Sequence, residues 1–141
     1  MKKIILLFFI GSLFTAQAQQ DILVRLFSSY PIGQSWVTTH SGDYFLLGTD
    51  VNFNVIDTID DLYFEDALRT LLVKKASDKV GVFKGGKSFG KFDGLKLVTP
   101  KTDAHFIIQG KGAERIYNGQ LLFRVHKGEF QVINQIAIEP Y

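Results

Sequence analysis

The sequence predicts a mainly β domain, an antiparallel barrel or sandwich of strands and hairpins, with an N-terminal signal helix and few other helices. Three observations carry that prediction. Past residue 18 apolar and polar side chains alternate with period two along most segments, the pattern of half-buried strands. Turn-forming clusters recur about every 8–12 residues, the spacing of all-β sandwiches and barrels. The last hairpin is the clearest element. Leu121, Phe123 and Val125 alternate with Leu122, Arg124 and His126, Lys127-Gly128 turns the chain, and Phe130, Val132 and Ile133 return.

The elements follow in order. Lys2 and Lys3 form a positive n-region, Ile4 to Phe14 is an apolar run of 11 residues, and Ala16-Gln17-Ala18 reads as a cleavage site. That is the three-part secretory signal. The run is shorter than the roughly 20 residues a spanning helix needs, so a retained anchor is the weaker alternative. The expected organisation is a signal peptide over 1–18 and a β-rich domain over 19–141. Delivery to the periplasm, the cell wall or the medium follows, with no stable membrane anchor after cleavage.

In the domain, Ile22, Val24 and Leu26 alternate with Leu23, Arg25 and Phe27 as a first strand. Pro31-Ile32-Gly33 is a turn, and Ser35 to Thr39 is rich in β-formers. Tyr44 to Leu47 is the next strand, and Val51, Phe53 and Val55 predict another across 51–56. Asp60 to Leu68 suits a helical turn with an Asp cap, or a strand with an acidic loop. Leu71 to Val73 and Val80 to Phe83 predict a hairpin about Ser77-Asp78-Lys79. Gly85-Gly86-Lys87 and Phe92-Asp93-Gly94 are turns, and 95–98 and 105–108 are strands.

Composition narrows the function classes. With 141 residues, 46% of them hydrophobic and 13 Phe, the chain supports one packed domain rather than disorder. The absence of Cys excludes disulfide staples, thiolate metal sites and a thiol nucleophile. Lys2 and Lys3 account for the whole net charge of +2. Removing them from the 16 Lys and Arg leaves 14, equal to the 14 Asp and Glu. A neutral domain gives no support to a nucleic-acid partner, which requires clustered basic residues.

No metal or cofactor is expected. His40, His105 and His126 show no ligand spacing, and the acidic cluster Asp57, Asp60, Asp61, Glu65 and Asp66 lacks a calcium-loop pattern. Gly81 to Ser88 matches a written phosphate-loop pattern, but bulky Val82-Phe83-Lys84 and flanking strands favour a hairpin turn. The informative stretch is Gln109 to Gln120. There Lys111, Arg115 and Tyr117 are the glycan-binding candidates, since a guanidinium beside a phenol can hold carbohydrate or a carboxylate. Arg115 and Tyr117, two apart, share one face of an extended segment. On the residues alone the structural reading is the stronger, with Tyr117 packed and Arg115 solvated or paired.

From Gly110 to Tyr141 the chain resembles the start of the SpoIID/LytB domain (stage II sporulation protein D, amidase enhancer). The resemblance lies in a Gly-rich bend, then Arg115, Tyr117 and Gly119, a strand, Gly128, a strand ending at Asn134, then Glu139 and Tyr141. It covers about 32 residues closely. Ile22 to Phe27 and Ser41 to Tyr44 are similar to the lead-in of these proteins. Gln135 stands where the family commonly has Glu, and Pro140 precedes Tyr141.

The resemblance implies an exported peptidoglycan-remodelling protein. Members act as lytic transglycosylases on glycan strands stripped of stem peptides, or enhance a cell-wall amidase. The family's catalytic Glu lies in a helical segment beyond the positions matching Glu139 and Tyr141, so the expectation is a chain truncated before its catalytic part. None of Glu65, Glu114, Glu129 or Glu139 sits in a matching context, and no catalytic residue is assigned. The alternative reading is a small secreted β-sandwich or barrel that binds a protein or carbohydrate ligand.

Overall fold

The computed structural model describes residues 20–28, 32–41, 44–59, 70–99, 104–110 and 114–138, with backbone alone for Gln20, His40, Ser41 and Ile138. The signal segment, the Asp60–Leu68 region, Lys111 and Glu139–Tyr141 lie outside the described residues.

Twelve strands form among them: β1 (Gln20–Leu26), β2 (Gln34–Ser41), β3 (Phe45–Thr49), β4 (Val55–Thr58), β5 (Thr70–Ala76), β6 (Lys79–Lys84), β7 (Lys87–Phe92), β8 (Gly94–Val98), β9 (His105–Gln109), β10 (Glu114–Asn118), β11 (Gln120–His126) and β12 (Glu129–Ile138). They pair antiparallel throughout, in two six-stranded sheets. The first sheet runs β1-β12-β11-β8-β3-β4 and the second β10-β9-β2-β5-β6-β7. Each keeps two edge strands, so the barrel alternative gives way to two open sheets.

Alternation decides which faces meet. Tyr44, Leu46, Leu95, Leu97, Leu121, Phe123 and Val132 from the first sheet and its lead-in join Val37, Leu71, Val73, Val80, Val82, Phe106 and Ile108 from the second in one buried cluster. A fully buried Val, Leu or Phe contributes about 1.5–3 kcal/mol relative to exposure, and without disulfides this packing carries the stability. Phe123 and Phe130 stack at 6.1 Å, and Tyr44 meets Phe106 edge-on at 5.9 Å.

The turns obey local chemistry. Gly85-Gly86 and Lys127-Gly128 join hairpins with both residues at positive φ, the conformation that matches strand twist. The phosphate-loop pattern is thereby a hairpin: Gly81 lies within β6, and no helix follows Ser88, which is in β7. The strand expected across 51–56 is a correction. Asp50 Oδ1 accepts from the backbone amides of Asn52 and Asn54, each at 2.9 Å, and turns the chain there. Phe53 then takes φ 64°, and only Val55–Thr58 forms a strand, exposed throughout. A local carboxylate–amide turn outcompetes alternation.

Candidate functional site

The motif residues from Tyr117 to Asn134 build one corner, where β10 of the second sheet passes to β11 of the first through Gly119 alone. Gly119 takes φ +90°, and a Cβ there would collide with the Gln135 carbonyl oxygen. Glycine is thus required twice over, for the backbone angle and for the close approach. Asn134, 1% exposed, donates from Nδ2 to the carbonyls of Asn118 at 2.9 Å and Gln120 at 3.0 Å. Its amide therefore ties the residues on either side of the glycine to β12. The Tyr44 hydroxyl donates to the Gly119 carbonyl at 3.4 Å, and burial pushes that phenol's pKa up to about 12.

Arg115 and Tyr117 do share a face. They pair with Ile108 and Phe106, both core residues, so both point to the inner side of the second sheet at its edge. Tyr117 lays its ring on Phe106 at 6.1 Å with an interplanar angle of 22°. Its ring is thereby engaged in packing. Arg115 is exposed, and Lys111 lies outside the described residues.

A second arrangement escaped the sequence reading. Cross-strand register places Phe83, Leu72, Trp36, Gln109 and Glu114 in one row across the outer face of the second sheet. The adjacent row is Thr70, Thr38, Ile107 and Ile116. Facing side chains in such rows lie about 5 Å apart. Trp36, Thr38, Thr70, Ile107, Gln109 and Glu114 line a shallow depression of about 280 Å³. Trp36 is 43% exposed and Ile116 60%. Phe83 in the same row is covered by the Lys74 ammonium at 4.7 Å, whereas among the described residues no cation or ring covers the Trp36 indole. The outward phase of alternation was the available signal: Trp36 is out of step with buried Ser35 and Val37.

No family, curated protein or solved structure matches this chain.

Other candidates stay dispersed. Among the described residues no three His, Asp or Glu side chains converge on a metal position. His105 lies on β9 and His126 on β11, in different sheets. Asp57 lies in exposed β4, and the rest of the acidic cluster lies outside the described residues. Asp50 carries a lowered pKa, chiefly through the Asn54 backbone amide and the Asn54 side chain, with a smaller part from Asn52.

Proposed function

We propose that the chain is an exported peptidoglycan-remodelling protein of the SpoIID/LytB type whose β-rich domain holds glycan strands rather than cutting them. The observation that carries this reading is mechanical. Tyr117, Gly119, Gly128 and Asn134, spaced as in that family, each answer a local demand of the continuous β10–β11–β12 unit: a ring stack, a tight corner, a hairpin turn and a buried amide tie. The N-terminal signal pattern supports export, and the neutral domain suits a glycan better than a nucleic acid. Glu114 is exposed, and Glu129 is exposed and ion-paired with Arg25 at 2.8 Å.

The test uses the protein exported from its own leader. Co-sedimentation with peptidoglycan sacculi stripped of stem peptides is expected, with no release of soluble glycan fragments and a mature N-terminus at Gln19. Failure to sediment counts against the glycan role, and fragment release against the non-catalytic one. The amidase-enhancer branch makes a cell-wall amidase the protein partner, and a faster amidase in the presence of this chain is its signature.

The second reading, a small secreted β-sandwich that binds a carbohydrate or protein ligand, is favoured by the exposed Trp36 face. A glycan array with no cell-wall preference would select it.

A further inference from the structure

We propose that the outer face of the second sheet is a sugar-binding platform, with Trp36 as the stacking surface and Gln109 and Glu114 as the polar contacts. The inference deepens the glycan-holding reading by naming a site, and rests on that reading for the natural source of the sugar. Its geometry is independent of the β10–β11 corner.

Three features select the ligand class. The indole is open on a sheet surface, where core demands do not explain it: its neighbours in the strand, Ser35 and Val37, are the buried ones. An aromatic ring with a free face offers large contact area to the apolar C–H face of a pyranose. Beside it in one cross-strand row stand the amide of Gln109 and the carboxylate of Glu114. The hydroxyls of Thr38 and Thr70, 2.9 Å apart, stand in the next. These groups supply donors and acceptors to match the equatorial hydroxyls of a sugar. The volume of about 280 Å³ lies at the low end of small-molecule sites, the scale of one or two sugar units rather than a buried chain.

Charge decides between sugars. Among the described residues Glu114 is the single ionisable side chain in the lining, and the nearby Lys74 ammonium is seated over Phe83. A carboxylate-bearing sugar would face Glu114 with no cation among the described lining residues, at a cost that a neutral pyranose avoids. The occupant is therefore a neutral pyranose within a polysaccharide, and in peptidoglycan glycan strands that unit is N-acetylglucosamine.

The chain contains a single Trp, so its emission reports this site alone. Full-length exported protein is titrated with chitotetraose, cellotetraose and tetragalacturonate. A saturable emission change with a neutral tetrasaccharide and none with tetragalacturonate is expected. By calorimetry, Trp36→Ala should weaken binding by about tenfold or more, Trp36→Phe should retain most of it, and Glu114→Gln should weaken it several-fold. His126→Ala, on the other sheet, should bind as wild type. Circular dichroism of each variant separates lost binding from lost fold.

Silence with both neutral sugars, equal binding by Trp36→Ala, or preference for tetragalacturonate overturns the platform. If sacculi still sediment the protein while the titrations are silent, the platform fails and the cell-wall reading stands. If chitotetraose binds through Trp36 but sacculi do not, the platform stands and the cell-wall reading fails.

Discussion

Replacing Asn134 by Ala removes two hydrogen bonds at the point where one sheet hands the chain to the other. Both acceptors are backbone carbonyls, so the side chain must present its NH2 group to both, which fixes the orientation of the amide. Each bond contributes about 1 kcal/mol net, and each carbonyl left dry costs about 1–3 kcal/mol. Asn118 is exposed and Gln120 half-buried, so water reaches part of what is lost. The expected destabilisation is about 2–4 kcal/mol, or a drop in Tm of roughly 10 °C for a domain of this size. Urea unfolding followed through Trp36 emission, with thermal circular dichroism alongside, measures it. Asn134→Asp, which sets carboxyl oxygens against two carbonyls, should be worse than Ala at pH 7. A loss below about 0.5 kcal/mol for Ala, or an Asp variant as stable as wild type, would refute the role given to this amide.

Gly119→Ala should cost more than Gly85→Ala in chemical denaturation. Both have positive φ, worth about 1 kcal/mol or more against Ala, but only Gly119 also meets backbone, while nothing lies within 4 Å of a Cβ at Gly85. Thr39, 3% exposed, buries a hydroxyl oxygen with no partner among the described residues, so Thr39→Val should leave stability unchanged or raise it by up to about 1 kcal/mol in the same assay. Asp50 has its pKa lowered in the folded state, so its stabilising contribution is complete above the unfolded value and fades as pH falls through the folded one. Urea midpoints from pH 7 to pH 2 should therefore converge for wild type and Asp50→Asn at the acid end; a constant gap would refute the linkage.

Period two was enough to read most strands, because a half-buried strand writes its inner face directly into the sequence, as in Leu121, Phe123 and Val125. It failed where a polar side chain took over the backbone, as Asp50 does through Asn52 and Asn54. It also left β10 as an extended segment, because an edge strand hides little: Glu114, Arg115 and Ile116 are all exposed. The motif residues drew attention to one stretch, yet the contacts at its corner depend on Gln135 and Tyr44, which only folding brings near Gly119. The Trp36 platform was the least legible. Its members come from β2, β5, β9 and β10, and only register sets them in rows.

The pairing of β1 with β12, from Gln20 opposite Ile138 to Leu26 opposite Val132, has a kinetic side. A chain that emerges N-terminus first, from a ribosome or through a translocation pore, exposes β1 long before its partner exists. Ile22, Leu23 and Val24, still 41–59% exposed in the finished sheet, spend that interval as an unpaired apolar edge. Non-local pairing of this kind is slow to form, and the sheet cannot acquire this edge until almost the last described residue is free. The topology thus keeps β1 without its partner until β12 is made, and places its greatest risk of self-association in that delay.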